Sequence, residues 1–322
     1  APRDYTSQDR AVTADDYKVL VKSLYANAQS VQVYGGEDAA TPDYGKVYIS
    51  IKAKSGSNLT EVTKTSLVQS LKSYAVASVT PVIIDPETTF ITLTTTFKYD
   101  SSLTTKDVST LQTNVLNAVS TYNTDTLEDF TGMFRYSAVG KTIDEADTSI
   151  LSNITKIKMY KYITPTLSSG LKYTLSFNNA FYNPHSGHNA SAGGIVSSTG
   201  FKINDDSSTN EHFLDDNGEG AIRVYYLSGT TRIYTDSSFG TIDYTTGEII
   251  LTSANITSIS NVDGAASTQI RVTVTPSSND VVPVRNQVLS IDTANSSFTG
   301  SVDEIESGSS QAGTSYTTTS SY

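Results

Sequence analysis

Three histidines are the first residues to test for chemistry, because a neutral imidazole binds metals and accepts protons. His185 and His188, in the segment NPHSGHN, have a spacing that suits two ligands of one metal ion, and His212 is the candidate for a third. They lie among Asn, Gly and Ser, without the adjacent carboxylate that normally orients the ring of a zinc-bound histidine. The pattern therefore favours a solvated loop over a metal site.

The acidic segment DDNGEG, which begins at Asp215, is the second candidate. A calcium-binding loop opens with oxygen ligands of the kind that Asp215, Asn217 and Glu219 would supply. Its closing acidic ligand falls at the twelfth position, where this chain has Tyr226. Since β-turns use the same residue types, we predict a turn here and no metal.

Enzymatic chemistry finds little support in the sequence. The chain has no cysteine and no G-x-S-x-G segment, so two recognisable nucleophile patterns are missing. Asp205 and Asp206 form an acidic pair of the kind that a glycosidase uses, but adjacent residues on a polar loop are more simply solvated charge. No phosphate-binding loop or dinucleotide fingerprint is present. We therefore predict no catalytic and no cofactor-binding residues.

The composition argues against two classes of partner. The chain has 22 Lys and Arg against 33 Asp and Glu, a formal net charge of −11, and such a chain is repelled by phosphate backbones and by anionic membrane surfaces. The nearest approach to a basic cluster, Lys156, Lys158 and Lys161, is interpreted as the solvated face of one strand. No apolar run reaches the ~18–20 residues of a membrane span, and no signal-peptide pattern opens the chain. We predict neither nucleic acid nor membrane as a partner.

The first half of the chain alternates between two periodicities. Helical spacing of apolar residues predicts four helices, near residues 14–29, 59–74, 104–122 and 134–147. Alternation predicts strands near residues 47–51, 82–85, 91–99 and 154–163. Without the first and fourth helices the order is β-α-β-β-α-β, the split βαβ arrangement of a ferredoxin-like fold. We therefore predict an α+β domain over residues 1–164.

The second half has a different texture. Helical periodicity disappears after Pro165, and short aromatic and β-branched runs separated by turn residues predict an all-β domain, a sandwich or a barrel, over residues 165–291. Within it, GTIDYTTGEIIL predicts a hairpin in which Gly247 supplies a positive φ. Residues 292–322 are rich in Ser, Gly and Thr and low in aliphatics. We predict a polar arm or tail that gains order from a partner.

One helix start is specified unusually fully, in the segment RAVTADDY. Thr13 is the predicted N-cap, and Asp16 stands where its carboxylate reaches back to the cap's own N–H. Val12 and Tyr17 have the spacing of a hydrophobic staple. Arg10 is expected to fix the path of the chain into this helix through a carboxylate or a carbonyl; the alternative is a contact across a subunit boundary.

This segment resembles the R-A-V-T-x-x-D-Y signature of the baseplate J-like family, whose members are wedge proteins in the baseplates of contractile phage tails and related injection machines. Six residues carry the motif: Arg10, Ala11, Val12, Thr13, Asp16 and Tyr17. The following strand, helix and V-x-P segment near Val79 to Pro81 are also similar, and the resemblance covers about residues 3–163. The later segments GTIDYTTGEIIL and VPVRNQVLSID look like parts of the larger wedge proteins of T-even-type phages.

The resemblance implies a structural role without catalysis. It implies a virion protein of the tail baseplate, assembled in the host cytoplasm, that joins copies of itself and other wedge proteins into a ring around the central hub and transmits conformational change on infection. A homodimer is the expected contact between copies. The family signature is normally preceded by a long N-terminal region, so we expect Ala1 to open a C-terminal fragment. The alternative function is a receptor-binding or adhesin-type tail protein, in view of the Tyr-rich β domain, and a polysaccharide-cleaving enzyme ranks third.

Overall fold

The computed structural model describes residues 10–39, 42–54, 58–188, 193–204, 206 and 210–303. The chain divides into two compact units. Unit 1 takes the described residues of Ala1–Thr89, Thr126–Met133 and Val282–Ser290; unit 2 takes those of Phe90–Asp125, Phe134–Val281 and Ile291–Tyr322. Among the described residues, no helix is long and apolar enough to span a membrane.

The described residues form four α-helices and fifteen strands. The helices are α1 (Ala14–Leu24), α2 (Glu61–Lys72), α3 (Val108–Tyr122) and α4 (Tyr136–Asp144). The strands are β1 (Ala28–Gly35), β2 (Lys46–Ala53), β3 (Thr80–Ile84), β4 (Glu87–Tyr99), β5 (Ile150–Ile163), β6 (Gly170–Ser176), β7 (Ser197–Ser198), β8 (Phe201–Ile203), β9 (His212–Asp216), β10 (Ala221–Ser228), β11 (Thr231–Asp243), β12 (Glu248–Ile259), β13 (Ile270–Val274), β14 (Gln287–Ile291) and β15 (Ser297–Val302). A 3₁₀ turn at Gly36–Asp38 and a π turn at Asn123–Leu127 complete the helical structure.

Unit 1 contains a three-stranded sheet with the order β1-β2-β3. β1 and β2 are antiparallel, whereas β2 and β3 are parallel and are connected through α2. The apolar faces of α1 and α2 pack on the sheet, and Val21, Leu71 and Ile49 are fully buried there. Helix α2 begins one residue after Thr60, whose hydroxyl accepts from the backbone N–H of Thr63. The N-cap is therefore Thr60.

One sheet of unit 2 has β5 at its centre. β5 pairs antiparallel with β4 on one side and with β13 on the other, and β7 pairs beyond β13. β15 pairs in parallel with β4. Strict alternation along β4 buries Leu93 and Phe97 on the face that the helices cover, while α3 begins at the cap Asp107, whose carboxylate accepts from the Thr110 N–H.

The second sheet of unit 2 is closed. Its strands follow the order β11-β10-β9-β8-β12, and a further pairing of β11 with β12 completes a five-stranded barrel, with β6 on the outer side of β12. Of the two architectures predicted for this half, a sandwich or a barrel, the structure shows the barrel. The predicted hairpin is formed by β11 and β12, with Gly247 at φ 71° in the turn. Closure of the barrel leaves few free strand edges.

The predicted ferredoxin-like arrangement is not observed, because its four strands lie in two different sheets. β2 and β3 belong to the sheet of unit 1, whereas β4 and β5 pair in unit 2. Only Asp85 and Pro86 separate β3 from β4. A two-residue hairpin of type I′ needs a positive φ at both positions, and type II′ favours Gly at the first; since proline fixes φ near −65°, these two residues do not form the hairpin that the fold requires.

The structure also divides the chain at other places than the predicted boundary between residues 164 and 165. β5 ends at Ile163 and pairs with β13 on its far side, so segments before and after this boundary share one sheet. The change of texture near Pro165 marks the passage into the barrel strands and not the edge of a compact unit. Unit 1 is instead completed by two later segments of the chain.

The predicted C-terminal arm, residues 292–322, is described as far as Asp303. Within it, β15 pairs with β4 of the same chain, from Ser297 beside Thr94 to Val302 beside Tyr99. Gly300 allows this close approach, since a Cβ atom there would lie 2.7 Å from the Phe97 ring. Residues 304–322 lie outside the described residues.

Candidate functional site

The helix-start motif forms the predicted capping box. The Thr13 hydroxyl accepts from the Asp16 N–H at 3.3 Å, and the Asp16 carboxylate accepts from the Thr13 N–H at 2.8 Å. The same carboxylate oxygen also accepts from the Val12 N–H at 3.0 Å. One side chain therefore fixes two successive peptide groups before α1, which is how Asp16 sets the direction of the chain at this point.

The other motif residues have separate roles. Ala11 is buried and donates its N–H to the Tyr74 carbonyl at 2.8 Å, and Tyr17 is buried in the core of unit 1. Val12 is 65% exposed, so the predicted hydrophobic staple with Tyr17 is not formed. Arg10 is exposed, and within the described part of the chain no hydrogen bond or ion pair involves it; its predicted carboxylate or carbonyl partner is not seen there.

A shallow groove of about 370 Å³ lies beside the motif. Its lining joins Val12 and Thr13 at the start of α1 to Tyr34 of β1 and Lys46 of β2. Lys46 forms an exposed ion pair with Asp43 at 2.6 Å. Among the described residues that line the groove, Glu37 is the one carboxylate and none is a histidine.

The acidic segment that begins at Asp215 ends β9 and continues into a turn, as predicted. Asn217 stabilises the turn, because its side-chain oxygen accepts from the N–H groups of Glu219 and Ala221, both at 2.9 Å. The sequence does not reveal that the two aspartates preceding the turn are buried. Asp215 and Asp216 are each 1% exposed, and successive side chains of a strand point to opposite faces, so each has its own set of partners.

Asp215 is the centre of a buried charge cluster. Its carboxylate accepts from Arg223 Nε at 2.8 Å, from Arg232 Nη1 at 2.8 Å and from the Tyr234 hydroxyl at 2.9 Å. The arginines also stack on rings: the Arg223 guanidinium lies 4.3 Å from the Tyr234 centroid and that of Arg232 lies 4.6 Å from the Tyr225 centroid. Burial, followed by the hydrogen bond to Asp215, raises the pKa of Tyr234. The cluster joins β9, β10 and β11 through one carboxylate.

Asp216 holds a loop against the barrel. One carboxylate oxygen accepts from the N–H groups of Ile195 and Val196 at 2.6 and 2.8 Å, and the other accepts from the Tyr244 hydroxyl at 2.6 Å. Burial, then this hydrogen bond, raises the pKa of Tyr244. Charge-assisted bonds of this type are stronger than neutral ones, so both aspartates are structural acceptors.

The histidines do not assemble into one site. His188 Nδ1 lies 3.2 Å from His185 Nε2 in an exposed loop, whereas His212 is fully buried and its Nε2 lies 3.1 Å from Asp206 Oδ2. Asp205, the other member of the acidic pair, lies outside the described residues. Among the residues that the structure describes, no group of three or more His, Asp or Glu side chains is arranged to hold a metal ion.

Lys161 does not belong to the solvated strand face that was predicted for it together with Lys156 and Lys158. Lys156 and Lys158 are exposed, but Lys161 is buried, donates to the Ser176 carbonyl at 2.7 Å and lies over the Phe177 ring. The difference follows from strand geometry, since positions 156 and 158 share a face and position 161 has the opposite parity.

Two family models match consecutive parts of the chain. Residues 13–84 match the model "Baseplate structural protein gp6, C-terminal domain I", and residues 87–162 match "Baseplate structural protein gp6, C-terminal domain III". The chain is also 30% identical over 201 residues to the baseplate wedge protein gp6 of Enterobacteria phage T4. The chain is therefore similar in sequence to gp6 structural proteins of phage tail baseplates. The division between the two models falls at Asp85 and Pro86, where the chain leaves the sheet of unit 1.

The extent of these similarities differs. The alignment with the T4 protein covers 56% of this chain and 30% of that protein, so the chain spans less than a third of the relative's length. Among solved structures, a chain of the anti-feeding prophage (AFP) baseplate, determined by cryo-EM with 6-fold symmetry, is similar with a TM-score of 0.35 and 14% identity, over 49% of this chain and 35% of that one. The sequence prediction of a structural baseplate protein is confirmed by the gp6 matches.

Proposed function

We propose that the chain is an assembly module of a baseplate wedge, and that its copies contribute to a ring around the central hub. The consecutive match to two gp6 C-terminal domain models carries this proposal. A wedge subunit has to keep its shape while neighbouring subunits exert force on it. The barrel meets this need through buried aspartates whose hydrogen bonds connect several strands. Its contribution is to position partners, and we propose that it has no catalytic activity.

We infer that the motif from Arg10 to Tyr17 relates the chain to the baseplate J-like family as well. The capping box supports this, because it gives a physical reason for Thr13 and Asp16 to occur together at this spacing. Arg10 is exposed beside it and has no partner among the described residues, so its side chain is available to a neighbouring subunit. Transmission of a conformational change on infection would then pass through contacts at this end of unit 1.

We propose that copies of the chain associate as homodimers. Closed rings need repeated contacts between copies, and a stable contact is expected to bury more than ~1,000 Å² in total. Light scattering at tens of micromolar should give twice the mass of the 34.5 kDa chain. A monomer mass would contradict the dimer, while a chain ending at Asp303 that still dimerises would show that residues 304–322 are not an exchanged arm.

Location in the particle tests the wedge proposal directly. An epitope tag appended after Tyr322 should place the chain at the tail baseplate in immuno-electron microscopy of phage particles. Regular repetition of the label around the tail axis would support the ring. Label at fibre tips or on the tail sheath, or particles that assemble and infect without the chain, would overturn the proposal.

A further inference from the structure

One face of the sheet formed by β4, β5 and β15 is open. Thr94 and Thr96 of β4 lie beside Lys156 and Ile154 of β5, respectively, and Thr299 of β15 lies beside Thr96. These five residues and Lys158, which we call the open face, are all exposed, whereas their sequence neighbours are largely buried. The open face belongs entirely to unit 2.

The opposite face of these strands is covered by the helices. Asn153 of β5 donates to the Gly140 carbonyl of α4 at 2.9 Å, and the Tyr136 hydroxyl donates to the Thr155 carbonyl at 3.0 Å. Ile157 of β5 is buried on that side. A sheet of this kind normally has one buried and one solvated face, so openness alone says nothing about a partner. The side chains on the open face indicate whether a partner binds there.

The open face is basic in an acidic protein. Lys156 and Lys158 project from it, and among the described residues neither forms an ion pair or a hydrogen bond. None of the open-face positions on the three strands is an Asp or Glu. Ile154, two positions before Lys156 on the same face, is 69% exposed. Two cations without a partner among the described residues, next to an exposed aliphatic side chain, differ from the rest of a chain with net charge −11.

We propose that the open face docks an acidic segment of a neighbouring baseplate protein. Carboxylates of that segment would pair with Lys156 and Lys158, its backbone and polar side chains would bond the threonine hydroxyls, and an apolar side chain would cover Ile154. The chemistry favours a polypeptide, because exposed Ile154 gains from an apolar contact that a phosphate backbone does not offer. This inference rests on the proposed wedge function.

Lysine acylation of intact tail baseplates and of the free chain tests the proposal. We expect the reactivity of Lys156 and Lys158 to fall at least ~10-fold in the particle, because ammonium groups paired with carboxylates are shielded, while Lys172, exposed on β6, keeps its reactivity. A zero-length carbodiimide cross-linker should then join Lys156 or Lys158 to an Asp or Glu of another chain. Equal reactivity in the particle and in the free chain would overturn the proposal.

Charge-reversal variants provide a second test of the proposal. Lys156→Glu with Lys158→Glu should reduce incorporation into particles at least ~10-fold, whereas the matched double variant Lys72→Glu with Lys172→Glu, of equal charge change at two other exposed sites, should incorporate normally. Unchanged circular dichroism and Tm exclude misfolding. Equal incorporation of both variants would overturn the docking surface and leave the wedge function intact, whereas particles that never contain the unmodified chain would overturn both.

Discussion

Asp215→Asn is the substitution that most directly tests the buried charge cluster. The asparagine keeps the shape of the side chain but removes its charge and one of the two acceptor oxygens. Arg223 and Arg232 then face a neutral amide, and their side chains are only 13% and 33% exposed. The cluster would retain two cations and lose the single anion that both arginines bond.

The cost follows from the number of partners and from their exposure. Breaking a buried ion pair by removing one partner typically costs ~3–5 kcal/mol. Because Arg232 is one-third exposed and rehydrates in part, we expect the lower part of this range, about 3 kcal/mol. For a unit of this size, that corresponds to a fall in Tm of roughly 6–12 °C.

Peptide-resolved hydrogen exchange is the appropriate measurement, since two units need not unfold together and a single free energy of unfolding then has no clear meaning. Amides of β9 and β10 should lose about 3 kcal/mol of protection. The control is Glu219→Gln, which removes the same charge from an exposed position nearby and should change stability by less than ~0.5 kcal/mol.

A double-mutant cycle with Arg232→Met separates the pair from the rest of the cluster. The two substitutions should be non-additive by at least ~1 kcal/mol, because each removes the same contact. Additivity within ~0.5 kcal/mol, or a loss below ~1 kcal/mol for Asp215→Asn alone, would refute the view that this carboxylate ties the barrel strands together.

Three further predictions concern other sites. Thr13→Ala should lower the free energy of unfolding of unit 1 by ~1 kcal/mol, and an unchanged denaturation midpoint would show that Thr13 does not cap α1. Hydrogen bonds from Lys106 and then from Ser149 lower the pKa of Asp147 from 3.8 to about 2. The ionised Asp147 should therefore contribute about 1–2 kcal/mol to the free energy of unfolding, a modest value because Lys106 is half exposed. This stabilisation should be complete above about pH 4 and be lost as the pH falls through about 2. Acid titration of Asp147→Asn should show a smaller loss of stability over this interval, and an identical acid limb would contradict the linkage. Calcium or zinc should leave Tm unchanged, because we predict no metal site and only a ligand that binds the folded state would raise Tm. A rise in Tm that a chelator reverses would reveal a site.

Local periodicity predicted the helices and strands well, because the helical and strand periods appear directly in the spacing of the apolar residues. The alternation of β4 and the capping residue Thr13 are local signals, and each is observed as predicted. The second helix shows the limit of this reasoning. Asn58 and Glu61 form a possible capping box by spacing, yet the cap is Thr60, which lies immediately before Glu61.

Pairing between distant strands was harder to predict, because alternation defines a strand without naming its neighbour. The sequence order β-α-β-β-α-β is compatible with one sheet, and only the turn chemistry of Asp85 and Pro86 opposes it. The cluster around Asp215 was missed for a related reason. Read as DDNGEG, the segment looks like a polar turn, and nothing local indicates that Arg223 and Arg232 come from two further strands to neutralise it. The spacing of Arg223 and Tyr225, and of Arg232 and Tyr234, was the available signal, since it places cations and rings on shared strand faces.

The two kinds of charge in unit 2 have different consequences for assembly. The charges of Asp215, Arg223 and Arg232 are satisfied within the chain, so they contribute to the shape of the barrel and exert little force on a neighbour. Lys156 and Lys158 have no such partner among the described residues, and their charge is available to another molecule. An exposed pair is weakened by salt far more than a buried one. The barrel should therefore keep its stability at high ionic strength while incorporation through the open face declines, and the same salt series on Lys156→Glu with Lys158→Glu should show that decline removed.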